Sequence, residues 1–198
     1  MTMNTPSDTV AWLRRDIAEA MEVKQRLLAD DELLGRIAAV AHTLTETLRR
    51  GGRVLFAGNG GSAADAQHLA AEIVGRFEVN RPGLPALSLS SDTSMLTAIG
   101  NDFGYETVFR RQIEAQSRPG DLFVGITTSG KSPNVLAAFD ACASLGVTSV
   151  ALCGLASGLA GRVDHLLGVP STRTARVQEC HILIGHLLCA HVDRALAQ

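Results

Sequence analysis

Two groups of side chains in this sequence have the types and spacing for proton or metal chemistry. The first is Asp65, His68, Glu72 and Arg76, set at i, i+3, i+7 and i+11 in a stretch that is otherwise apolar from Ala63 to Val74. On an α-helix that spacing puts all four on one face. An imidazole and a carboxylate four residues apart can hold a proton or a cation between them. The second group is Gln178-Glu179 with His181, His186 and His191. Gln178 and His186 are separated by about 12 Å of helical rise, so they share an ion only if both side chains reach towards each other. With His68 and Glu72 they would supply two nitrogens and two oxygens, a donor set suited to zinc or another divalent transition metal. Each group has a plainer reading as well. The stripe can be a row of solvent-facing ion pairs, and a lone histidine can be a hydrogen-bonded core residue.

Two loops are equipped for anions. Val54–Gly58 is a short apolar run that reads as a buried parallel strand, and the chain then turns through glycines and opens a helix at Ser62. Helix starts carry free N–H groups and the positive end of the dipole. Gly58-x-Gly60-x-x-Ala63 partly matches the dinucleotide fingerprint. The acidic partner expected about 20 residues on is misplaced, because Glu78 precedes the second strand and Asp92 lies too far beyond it.

The second loop, Gly125-Ile-Thr-Thr-Ser-Gly130-Lys131-Ser132, satisfies G-x-x-x-x-G-K-S. Three features argue against ATP. Gly125 falls inside a strand, Pro133 occupies the first helical turn, and no apolar strand ends in a magnesium-binding Asp. Thr127, Thr128, Ser129 and Ser132 instead crowd hydroxyls beside a helix N-terminus, which suits a single phosphate monoester; the alternative is a polar, self-capped turn. Asn101-Asp102-Phe-Gly104-Tyr105-Glu106 links two helical pieces, either as a turn with Asp102 as a cap or as a site where Asn and Asp recognise sugar hydroxyls.

Elements must bring these pieces together. The chain has 198 residues, 46% apolar and 19% charged, enough for one globular α/β domain. Net charge is −2 with no basic run, which excludes nucleic acid as the main ligand. Cys142, Cys153, Cys180 and Cys189 form no C-x-x-C pair and read as reduced core residues. Neither a signal peptide nor a long apolar span is evident, so a cytoplasmic protein without membrane contact is expected.

After a loose end over residues 1–6, apolar stripes predict helices over 7–29 and from Asp31, as a cap, to Gly51-Gly52. Strands are expected at 53–57, 85–89, 121–126, 148–153 and 165–169. Helices are expected near 62–77, 93–99, 106–117, 133–145 and 176–196, with a short piece at 159–163. The alternation predicts a three-layer α/β/α sandwich around a five-stranded parallel sheet. The whole chain, 1–198, reads as one domain: a helical segment, 1–50, and an α/β core, 51–198. Part of the N-terminal stripes is expected to be buried against another subunit.

Several of these segments together resemble a known family. Gly58-Asn-Gly-Gly-Ser62, Leu96-Thr-Ala-Ile-Gly-Asn101-Asp102, Thr127-Thr-Ser-Gly130 and Arg176-Val-Gln178-Glu179 occur in the order seen in the sugar isomerase (SIS) family, in its phosphoheptose isomerase branch. The resemblance implies a flavodoxin-like SIS fold, a homotetramer with sites at subunit contacts, and conversion of sedoheptulose 7-phosphate to a heptose 7-phosphate. It implies one zinc ion per subunit held by His68, Glu72, Gln178 and His186, with Glu72 and His186 also the catalytic acid/base pair. It further implies substrate contacts from Asn59, Gly60, Gly61, Ser62, Glu72, Asn101, Asp102, Thr127, Thr128, Ser129, Ser132 and Gln178. Thr127 stands where serine is frequent, and Lys131 where asparagine is frequent. Some SIS proteins near this branch bind a replication initiator and lack the catalytic acid and histidine; this chain carries both Glu72 and His186, which favours the enzyme.

Overall fold

Short apolar runs that are hydrophobic at successive positions can be buried only if both faces of their sheet are covered. The computed structural model, which describes residues 5–155 and 158–197, shows this arrangement. β1 (Val54–Gly58), β2 (Ala86–Ser88), β3 (Leu122–Thr127), β4 (Thr148–Gly154) and β5 (His165–Val169) form a five-stranded sheet in the order β2-β1-β3-β4-β5. Every pairing is parallel. The helices are α1 (Pro6–Leu28), α2 (Asp31–Arg49), α3 (Gly61–Val74), α4 (Thr93–Phe103), α5 (Val108–Gln116), α6 (Pro133–Leu145) and α7 (Thr174–Leu196).

Side-chain alternation divides the core into two. Val54, Phe56, Val124, Ile126 and Leu152 pack with residues of α2, α3 and α7. Leu55, Ala57, Phe123, Ala151 and Cys153 pack with residues of α5 and α6. The chain winds outward from β1 to β2 and in the opposite direction from β3 to β5, so the crevice at the carboxyl ends of β1 and β3 is the switch point where such sheets take ligands. Gly58 is in register with Ile126, which sets the two hydroxyl- and glycine-bearing loops side by side. Across α3 and α7, Gly185 makes a close approach possible: a Cβ there would come within 2.5 Å of Leu69.

Most expected elements are present with ends moved by one to a few residues. β1 spans 54–58, α3 begins at Gly61 rather than Ser62, and α7 begins two residues earlier than expected. Four expectations are corrected. Thr5 and Pro6 do not belong to a loose end, since Thr5 caps α1 by accepting the Asp8 N–H at 3.1 Å; residues 1–4 lie outside the described part. The cap of α2 is Asp30, whose carboxylate accepts the Leu33 N–H at 2.9 Å, and Asp31 is the first helical residue. Residues 159–163 form turns instead of a helix, because Gly161 takes φ +77°, where a right-handed helix cannot continue. Asn101 and Asp102 do not link two helices; they lie in the last turn of α4, which runs on to Phe103. The four cysteines are free and buried, as expected.

Candidate active site between α3, α7 and the strand-end loops

α3 and α7 run side by side in the same direction, and His68 and Glu72 of the first group meet His186 of the second across them, whereas His191 bonds to Thr45 of α2, Glu179 pairs with Arg176 and Lys24, and His181 is buried. His68 Nε2 and His186 Nε2 are 2.8 Å apart, and His68 Nε2 is 3.5 Å from Glu72 Oε1. Neutral imidazole has one donor and one acceptor nitrogen. Two Nε2 atoms at that distance therefore need one of them protonated, or a cation between them. The His186 ring is fixed on two sides, stacked on Phe77 with centroids 5.0 Å apart and edge-on to His68 at 5.1 Å. Asp65, one turn before His68, completes the polar face. Burial raises its carboxyl above the usual range, while His68 and His186 pull it back in part. The α3 stripe combines both readings: Asp65 and Glu72 are half-buried against α7, the exposed His68 makes an i,i+4 pair with Glu72 as well as its contact with His186, and Arg76 is exposed.

Gln178 is placed differently. Its amide rests on the start of α3, where a Cβ at Gly61 would fall 2.5 Å from Gln178 Nε2. No hydrogen bond joins it to His68, Glu72 or His186 within the described residues. Among those residues, no group of three or more His, Cys, Asp or Glu side chains is arranged to enclose an ion. The fit to a zinc ion is one of donor chemistry: two imidazole nitrogens and a carboxylate oxygen converge, with the Gln178 amide two turns earlier on α7.

The β1–α3 and β3–α6 loops are tied to each other. Asn59 and Asn134 exchange a reciprocal pair of amide hydrogen bonds at 2.9 and 2.8 Å, and Asn134 also accepts the Val135 N–H. Tyr105 donates to Asn59 Oδ1 at 3.3 Å. Together Asn59, Tyr105, Glu106, Ser132, Pro133 and Asn134 line a cavity of about 300 Å³. Thr127 and Ser132 hydroxyls are 3.0 Å apart, and Ser129 Oγ accepts the Lys131 N–H. Thr128, Ser129 and Lys131 face a second cavity of about 200 Å³ on the β4 side. The hydroxyls of the loop are therefore divided between two faces. Ser62 is buried beneath β1, Gly60 and Gly61 form the exposed start of α3, and Asn101 and Asp102 form an exposed pair that touches none of these groups.

The sequence alone did not single out Tyr105, Asn134 and Phe77. Tyr105 follows Asn101-Asp102 closely enough to have been a signal, while Asn134 hides behind Pro133 at a helix start. A larger cavity, about 590 Å³, is no guide here. It lies at the opposite, amino edge of the sheet among His42, Arg50, Arg118 and Asp121.

Comparison with known proteins agrees with this geometry. The SIS domain model matches residues 17–154. A protein of Aneurinibacillus thermoaerophilus called phosphoheptose isomerase is 49% identical, covering 93% of this chain and 94% of its own. One of the same name from Roseiflexus sp. is 50% identical over 98% of both. The phosphoheptose isomerase structure from Neisseria gonorrhoeae superposes with a TM-score of 0.87 at 42% identity, covering 96% of this chain and all of that one. The Francisella tularensis structure gives 0.90 at 34% identity, covering 94% and 98%. A sheet wound about a β1/β3 crevice, a histidine pair across α3 and α7, and identity near one half along the whole chain all converge, and the chain belongs to the SIS-domain family, in its phosphoheptose isomerase branch.

Proposed function

We propose that the chain converts D-sedoheptulose 7-phosphate to D-glycero-D-manno-heptose 7-phosphate, an aldose–ketose isomerisation that opens the route to nucleotide-activated heptoses. The observation that carries this reading is the convergence of His68, Glu72 and His186 across α3 and α7, on the helix that the β1–α3 loop opens. Relatives that bear the isomerase name support it along nearly the whole chain.

The reaction moves a carbonyl from C2 to C1. A base removes a proton from C1, the C–H electron pair forms the C1–C2 double bond, and an acid protonates the C2 oxygen to give an enediol. Return of the proton to C2 and loss of the O1 proton complete the aldose. We assign the base to Glu72 and the acid to His186. Thr127, Thr128, Ser129 and Ser132 would hold the phosphate. Asn59, Gly60, Gly61, Ser62, Asn101, Asp102 and Gln178 would contact the sugar, with Asn134 and Tyr105 keeping Asn59 in place. His68, Glu72, Gln178 and His186 are the residues that would hold zinc, which when bound supplies Lewis acidity that stabilises charge on the substrate oxygens.

The test is an assay of aldose formation by the purified chain, with and without chelator, alongside metal analysis. Aldose formation that chelator abolishes, with stoichiometric zinc, is expected. No conversion by the metal-loaded protein overturns the assignment.

The same reading makes the protein a cytoplasmic homotetramer. α1 supports the assembly, since Val10, Leu13, Ile17 and Met21 are about half exposed along one apolar stripe. No helix among the described residues is long and apolar enough to cross a membrane. A monomeric mass by light scattering would refute the tetramer.

A further inference from the structure

We infer that Arg81, Asp193 and Phe77 form a positioning device for the proposed acid/base pair, in which a buried ion pair holds Glu72 and His186 in mutual register. The inference rests on the isomerase reading for its catalytic consequence. The geometry stands on its own.

The last carbonyls of a helix have no partner within it. Arg81 supplies partners at the end of α3: Nη2 donates to the Glu72 carbonyl at 3.1 Å and Nη1 to the Ile73 carbonyl at 2.9 Å. Its Nε donates to Asp193 Oδ1 on α7 at 2.7 Å, and both side chains are wholly buried. The other carboxylate oxygen, Oδ2, accepts three successive backbone N–H groups, Phe77 at 3.1 Å, Glu78 at 2.7 Å and Val79 at 2.9 Å. That fixes the backbone from which the Phe77 ring projects onto His186, the two planes 27° apart. One guanidinium thus grips the main chain at Glu72, one carboxylate grips the main chain at Phe77, and the two are bonded to each other.

A buried ion pair is weak evidence of stabilisation, because burying two charges is costly. Here its bonds go to the Glu72 and Ile73 carbonyls, to the Phe77–Val79 N–H groups, to the Pro82 carbonyl and between the two partners, so it joins the main chain beneath Glu72 to the main chain that carries Phe77. The flat face of Phe77 sets the plane of the imidazole, and the plane sets where Nε2 points. Without it the ring could turn about its χ angles and the 2.8 Å contact with His68 would no longer be favoured.

The experiment compares Phe77→Leu, which keeps apolar bulk but removes the flat face, with Phe77→Tyr, which restores it. On sedoheptulose 7-phosphate, Phe77→Leu should lower kcat about tenfold while KM and melting temperature stay near those of the parent, and Phe77→Tyr should recover most of the loss. In parallel, carbethoxylation of His186 by diethyl pyrocarbonate is followed by peptide mass spectrometry on the apo protein. It should run several-fold faster in Phe77→Leu and return to the parental rate in Phe77→Tyr. An unchanged kcat in Phe77→Leu, or a loss that Phe77→Tyr does not rescue, overturns the inference. If the parent does not isomerise the substrate, the functional reading fails instead, and the His186 modification rate decides the positioning claim: equal rates in parent and Phe77→Leu refute it.

Discussion

The two edges of the sheet are built on opposite principles. At the amino edge, Asp121 is buried and its carboxylate accepts the N–H groups of Arg53 and Arg118, both at 2.9 Å, and pairs with the Arg53 guanidinium at 3.1 Å. That carboxylate is occupied in holding the protein together, although the cavity beside it is larger than those at the carboxyl edge. At the carboxyl edge the lining is mixed: Asn59, Asn134 and Tyr105 bond to one another and Ser132 to Thr127, whereas among the described residues the Thr128 hydroxyl and the exposed Lys131 ammonium have no side-chain partner. Short polar side chains bonded only to each other across two loops can exchange those bonds for a ligand's, whereas a carboxylate that ties main-chain groups together cannot do so without loosening the fold.

Substitutions can break or sharpen this contrast. The largest effect is expected from Glu72→Gln, which should lower kcat roughly a thousandfold with little change in melting temperature, as loss of a general base does. Near-full turnover would remove Glu72 from that role and weaken the claim that the α3–α7 face is the reactive one.

Next is a dependence of stability on pH beneath the carboxyl edge. His181 on α7 is completely buried, and neither ring nitrogen has a hydrogen-bond partner of good geometry. Burial lowers its pKa from 6.5 to about 4, with the Cys153 backbone opposing in part. Between those values the unfolded chain binds a proton that the native state does not. Stability is therefore full above pH 6.5 and should fall by about 3 kcal/mol as pH drops towards 4. Urea unfolding of the parent and His181→Leu at pH 7 and 4.5 tests this. The substitution should flatten the dependence, and an equal slope in both proteins would refute the assignment.

Asp121→Asn should cost about 2 kcal/mol in unfolding free energy while kcat per folded molecule is unchanged, since it weakens charge-assisted bonds far from the crevice. Loss of activity without loss of stability would erase the distinction between the edges. The smallest effect is expected from Ser132→Ala. Removing one phosphate-loop hydroxyl should raise KM by roughly fivefold, about 1 kcal/mol, with kcat preserved in steady-state kinetics.

Much of the fold was legible because buried parallel strands leave continuous apolar runs ending in glycine, as at Val54–Gly58, and because helix stripes such as Ile37, Val40, Leu44 and Leu48 repeat at helical spacing. The failures were local. Asp30 and Asp31 are equivalent as letters, and only backbone direction decides which one caps. At 159–163 an apolar stretch outweighed a glycine that had to adopt positive φ. In the site, His68 and Glu72 announce themselves by spacing on one helix, and His186 by its place in the resemblance. Arg81 and Asp193 do not, since 112 residues separate them and a contact across that distance leaves no periodic trace. Asn134 and Phe77 were missed for the same reason.

α7 carries Gln178, His186 and Asp193 on one continuous rod, which makes it the camshaft of the molecule. Inserting a single residue between Gln178 and His186 would rotate everything downstream by about 100°. The imidazole would swing away from α3 and the buried carboxylate away from Arg81 in the same stroke. Such a lesion should behave as all-or-none, whereas changes in the exposed loops can be graded one hydroxyl at a time.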